Sequence, residues 1–138
     1  MNILVIDGQG GQLGASIIRA IYEKLPDADI TAVGTNAAAT AAMIKAGVKK
    51  AATGENPVLV AVRRADVIIG PIGIVIADSM LGEITPSMAQ AVGSAPAVRI
   101  LVPVNKCENL VAGINMPTVT LLVEDAVKKL LSLNNEVK

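Results

Sequence analysis

Apolar and polar positions along this chain follow two rhythms that take turns from end to end. Short apolar runs alternate with longer stretches in which apolar residues recur at helical spacing. The first run, residues 2–6, predicts a strand. Residues 12–25 predict a helix with Ile17, Ile18, Ile21 and Leu25 on one face, ended by Pro26 and Asp27. A second strand over 30–33 leads to Asn36, an N-cap for a helix over 37–46 that Gly47 stops at the C′ position. A short third strand falls at 50–52. Asn56-Pro57 reads as an N-cap followed by proline at the first helical position, opening a helix to Arg64. The fourth strand is 67–69. Residues 70–84 keep no clear rhythm, and Ile74-Val75-Ile76-Ala77 fits a buried strand or one helical turn. Thr85-Pro86 repeats the cap-and-proline signal for a helix through Ala91. A fifth strand at 99–102 and a short one at 110–112 follow. An amphipathic helix over 119–133 closes the chain, with Leu122, Ala126, Leu130 and Leu133 on one stripe.

Strand and helix in strict alternation, without linker, repeat or low-complexity segment, predict one α/β domain over residues 1–138. The expected architecture is a doubly wound, Rossmann-like, mostly parallel sheet of five or six strands with helices on both faces. Composition adds that 52% of residues are hydrophobic and 17% charged. That balance implies strands buried on both faces and surface covered by another subunit, so a homo-oligomer, most simply a dimer, is expected. Net charge is +0 and Tyr22 is the one aromatic residue. No basic footprint or stacking platform for nucleic acid is present. The absence of histidine excludes histidine bases, histidine triads and an ordinary zinc site, and no metal is expected. A single cysteine, the lack of a leader pattern and the lack of a bilayer-length apolar stretch suit a cytoplasmic protein without membrane contact.

In such a fold the turns after the strands form the ligand edge. Five of them are rich in glycine or short polar residues: 8–14, 34–36, 53–56, 70–73 and 105–107. The opposite connections are much plainer. The first turn, Asp7-Gly8-Gln9-Gly10-Gly11-Gln12-Leu13-Gly14, lies between strand and helix, where glycine lets backbone approach a ligand and a helix start offers free N–H groups to an anion. Its spacing is G-x-x-G-x-x-G on Gly8, Gly11 and Gly14, resembling extended short-chain dehydrogenases. Gly8 would make the turn, Gly11 admit a phosphate and Gly14 let the helix pack. A turn needed for packing alone is the plainer reading.

The acid that reads an adenosine ribose in NAD sites belongs at the end of the second strand. Gly34-Thr35-Asn36 stands there instead. Thr35 and Asn36 suit a 2′-phosphate, which keeps NADP(H) or another nucleotide open, while Asn36 has capping as its plain role. Gly54, Glu55, Asn56, Gly70, Pro71, Gly73 and Asn105 complete the expected ligand edge. Glu55 is favoured by the helix dipole whatever else it does. Glu83 lies among apolar residues, as a ligand contact, an acid–base group or a cap two residues before the next N-cap. Lys106 and Cys107 are further catalytic candidates, although a lone cysteine is as well explained as a small buried hydrophobe. The tyrosine–lysine pair of short-chain dehydrogenases is missing, because Pro26 stands four residues after Tyr22.

As a set, Asp7-Gly8-Gln9-Gly10-Gly11, Gly34-Thr35-Asn36 with Ala39-Thr40, Thr53-Gly54-Glu55-Asn56, Gly70-Pro71-Ile72-Gly73-Ile74, Gly82-Glu83-Ile84-Thr85-Pro86 and Pro103-Val104-Asn105-Lys106-Cys107 resemble a small bacterial family. That family, common in Firmicutes, is known as a domain of unknown function with a Rossmann-like fold. The resemblance implies the fold and a bacterial cytoplasm, and no reaction. The function expected from the residues is binding of a small anionic, phosphate-bearing ligand or nucleotide, as a sensor or regulatory module. Two alternatives stand beside it. One is a reductase-like or transfer enzyme completed by a partner subunit. The other is a non-catalytic structural homo-oligomer.

Overall fold

A computed structural model describes residues 1–104, 108–115 and 118–137. Five parallel strands form one sheet: β1 (Asn2–Asp7), β2 (Asp29–Gly34), β3 (Lys50–Thr53), β4 (Val67–Pro71) and β5 (Val98–Val102). Their spatial order is β3-β2-β1-β4-β5. Five helices connect and close them: α1 (Gln12–Lys24), α2 (Ala37–Lys45), α3 (Glu55–Ala61), α4 (Pro86–Ser94) and α5 (Val119–Val137).

The apolar runs are near-continuous because the inner strands are covered on both sides. Along β1, Ile3 and Val5 join Ile17, Ile18, Met43, Val123 and Leu130 in a core under α1, α2 and α5. Leu4 and Ile6 point the other way, into a core with Val58, Ile74, Met88 and Val92 under α3 and α4. β4 is buried along its whole length, whereas β3 and β5, at the sheet edges, are partly open. Much of the high apolar content is thereby absorbed within the fold.

Several local expectations change. α3 starts two residues earlier than Asn56-Pro57 suggests, with Gly54 as N-cap. The Gly54 N–H is already committed to the Gly34 carbonyl, 2.9 Å away, and Pro57 is tolerated in the first turn, where N–H groups lack partners anyway. The helix ends at Ala61, and residues 63 and 64 tighten into three-residue turns. Residues 70–84 hold no further strand. β4 runs through Pro71, Ile72–Val75 makes one turn of 3-10 helix, and a compact loop follows in which Asp78, Met80, Leu81 and Gly82 all take positive φ. Residues 110–112 form no strand, so the sheet stops at five among the described residues. The final helix extends beyond residue 133. Its buried stripe is Val123, Ala126, Val127 and Leu130, with Leu122 and Leu133 half-buried on its flanks. Asn36 and Thr85 cap α2 and α4 as expected, accepting from the N–H groups of Ala39 and Met88.

Candidate functional site

The strand order reverses between β1 and β4. The connection leaving β1 runs to β2 on one side, while β4 and β5 lie on the other. In open α/β sheets a crevice opens at the carboxyl ends of the strands at such a point. The turn over residues 8–14 sits there. A cavity of about 250 Å3 adjoins it, lined by that turn from Asp7 to Leu13 and by Pro71, Met80 and Val104. Larger grooves exist, one of about 430 Å3 beneath α3 and one of about 720 Å3 along the outer edge of β5. The first is walled by Asn2, Asp29 and Arg64 near the amino ends of its strands, and the second follows an edge, so neither occupies the switch point.

Four glycines of the first turn meet different surroundings. Gly14 packs α1 against its neighbours: a Cβ there would stand 2.7 Å from Met43 Sδ and 2.9 Å from Asp7 Cβ. Gly8 is buried beneath Met80, Thr35 and Glu83. Gly11 is the N-cap of α1 at φ 74°, and a Cβ there would stand 2.7 Å from the backbone of Ala39. Its N–H donates to the Gly8 carbonyl at 2.9 Å, so it offers a ligand neither space nor a donor. Gly10 differs. It is exposed, lines the cavity, lacks positive φ and has nothing within 4 Å of the position its Cβ would take. Neither packing nor conformation asks for glycine at that position. Among the described residues, the N–H groups of Gly10, Gln12 and Leu13 find no protein acceptor.

Two carboxylates occupy the rest of the turn. Asp7, 5% exposed at the end of β1, accepts from Gly8 N–H at 2.8 Å and Gly14 N–H at 2.6 Å. It does for α1 what a capping side chain would do, since Gly11 has none. Burial pushes the Asp7 carboxyl above its usual range, outweighing those two hydrogen bonds, and the charge of Glu83 pushes the same way. Sequence reasoning gave Asp7 no role. Its signal is a carboxylate ending a buried strand seven residues before a glycine in the first turn of a helix.

Glu83 is the second carboxylate. Its Oε1 accepts from Thr35 Oγ1 at 2.5 Å, Gln9 N–H at 2.8 Å and Asn36 Nδ2 at 2.8 Å. Partial desolvation raises its pKa, but these three donors together lower it further, and the side chain is held ionised. Glu83 therefore reaches back to the first two turns rather than capping α4, whose cap is Thr85 alone. Asn36 does more than cap: its amide also donates to the Gln9 carbonyl at 3.0 Å.

The remaining candidates divide. Thr35, Asn36 and Pro71 gather around the first turn with Glu83. Glu55 instead accepts from Thr85 Oγ1 at 2.6 Å, tying α3 to α4, with Gly54 and Asn56 beside it in the chain. Gly70 is buried within β4, and Gly73, also buried, accepts from Ser79 Oγ at 2.5 Å. Asn105, Lys106 and Cys107 lie outside the described residues. Among the described residues the two ion pairs, Lys50–Asp29 and Lys129–Asp125, lie away from the turn, and no acidic or cysteine cluster is arranged for a metal. Among the described residues, no helix is long and apolar enough to cross a membrane.

A family model described as a domain of unknown function (DUF3842) matches residues 2–135. No curated protein matches the chain. Among solved structures, a dodecameric FMN-dependent UbiX-like decarboxylase from Escherichia coli O157:H7 is similar at 18% identity. The alignment covers 92% of this chain and 75% of that one, with a TM-score of 0.44, a likeness that carries no argument about chemistry.

Proposed function

The chain belongs to the DUF3842 family, and on the geometry of its switch point we propose that it binds a small phosphate-bearing anion at the first glycine turn, as a sensor or regulatory module. One observation carries the proposal. Gly10 faces open space without a packing or φ requirement, and its N–H and those of Gln12 and Leu13, at the start of a 13-residue helix, lack acceptors among the described residues. Such a helix start presents donors and the positive end of its dipole to an anion. The cavity, about 250 Å3, suits a phosphate with a small attached group better than a dinucleotide.

The thermal stability of the full chain with inorganic phosphate, pyrophosphate, sugar phosphates, AMP, NADP(H) and FMN tests this. A ligand at a hundredfold excess over its Kd adds about 2.7 kcal/mol, an upward shift of several degrees. Gly10→Leu would fill the space beside the donors and abolish that shift without lowering the Tm of the free protein. An unshifted Tm with every phosphate compound tried would end the proposal.

A further inference from the structure

The crevice has two halves, and the protein itself fills one. On the β2 side, where α/β folds seat the ribose of a bound nucleotide, the space above Gly8 is taken by Met80, Thr35 and Glu83. Glu83 Oε1 gathers a backbone N–H, a hydroxyl and an amide, a donor set that suits an anionic oxygen of a ligand. The carboxylate arrives from a short loop closed on itself: Asp78 N–H donates to the Ile84 carbonyl at 2.7 Å, and Ile84 N–H to the Ser79 carbonyl at 3.2 Å. Three residues of that loop other than glycine, Asp78, Met80 and Leu81, sit at φ 65°, 57° and 56°. A left-handed conformation at such residues persists only where surrounding contacts hold it. Ser79 and Met80 are buried and anchor the loop, while Leu81 is 99% exposed. The Glu83 side chain is half-buried.

We propose that Glu83 is a built-in competitor: seated, it holds the donors of Gln9, Thr35 and Asn36 on the β2 side and leaves only the β4 side to a compact anion, and a nucleotide gains those donors when Glu83 lets go of them. This rests on the phosphate-binding reading above and adds the selection of ligand size. Release would also free Thr35 and Asn36 for the 2′-phosphate of an NADP-type ligand, because both are committed to Glu83 while it is seated.

The test is calorimetric titration of the full chain, Glu83→Ala and Glu83→Gln with inorganic phosphate and with AMP. If the seated form makes up about nine-tenths of the protein, removing the competitor tightens AMP binding about tenfold, since apparent affinity scales with the competent fraction. Phosphate affinity should change by much less. Glu83→Gln keeps an acceptor on the same donors and should fall between the two. It also serves as the readout if Glu83→Ala fails to fold. Unchanged or weaker AMP binding in Glu83→Ala would overturn the proposal, the weaker result making Glu83 a ribose contact instead. Phosphate binding with no AMP binding in any variant would overturn it while leaving the small-anion reading intact. No binding of either probe by any variant would overturn it too, whereas the small-anion reading falls only if the other phosphate compounds also leave the Tm unshifted.

Discussion

The two sides of the first glycine turn are built from the same backbone and do opposite things. Toward β2, every donor in reach is taken: Gln9 N–H, Thr35 and Asn36 converge on Glu83, and Gly8 is roofed over. Toward β4, Gly10, Gln12 and Leu13 line an open cavity, and their N–H groups have no acceptor among the described residues. A glycine motif at a strand–helix turn therefore mixes two demands. Some of its glycines are required by the protein's own packing, and at least one is not. Only the latter speaks for a ligand.

Substitutions separate the two demands, and the largest effect belongs to the packed side. Gly11→Ala places a methyl group 2.7 Å from the Ala39 backbone at a positive φ, and should destabilise the fold by about 2–4 kcal/mol in urea unfolding. A near-neutral result would mean that α1 and α2 can separate at little cost and that Gly11 is available to a ligand after all. Asp7→Asn comes next. One acceptor oxygen cannot serve both Gly8 and Gly14, so a buried N–H loses its partner at about 1–3 kcal/mol.

The same two acids give opposite pH dependences. The Asp7 pKa is raised in the fold, so the native state binds more protons than the unfolded chain above the ordinary value of 3.8, and the Asp7 contribution to stability falls as pH climbs through that window. The Glu83 pKa is lowered, so its contribution is complete above the ordinary 4.5 and is lost as pH falls through its native value. Urea unfolding from pH 3 upward should therefore show Asp7→Asn removing a decline toward higher pH and Glu83→Gln removing a decline toward lower pH. Identical profiles for the two variants would break the contrast. The smallest effect on folding is expected at Gly10: Gly10→Ala should stay within about 0.5 kcal/mol of the parent.

Much of the fold was readable from pattern alone, because β1 and β4 are buried on both faces and their apolar runs are bounded by turn residues. Asn36 and Thr85 announced their helices through cap chemistry that depends only on near neighbours. What failed was non-local. The start of α3 is decided partly by a Gly54–Gly34 hydrogen bond between chain segments that the sequence does not bring together. The loop over residues 78–82 has no periodicity because its backbone is left-handed at residues that rarely adopt that state. At the site, the sequence holds no acid at the end of β2, yet an acid does reach it. Glu83 comes from 48 positions beyond Thr35, and no local spacing rule reaches that far. Asp7 escaped for a related reason, since its partner Gly14 looked like a packing glycine alone.

In this reading the β4 side of the turn is an anion site and the β2 side is closed by Glu83. Amide chemical shifts during titration with inorganic phosphate, in the parent and in Gly10→Leu, test it most directly. Saturable shifts should centre on Gly10, Gln12 and Leu13, with little movement at Gln9 while Glu83 stays seated and loss of the response in Gly10→Leu with the Tm unchanged. Shifts centred on Gln9 and Thr35, or a response that survives Gly10→Leu intact, would contradict it.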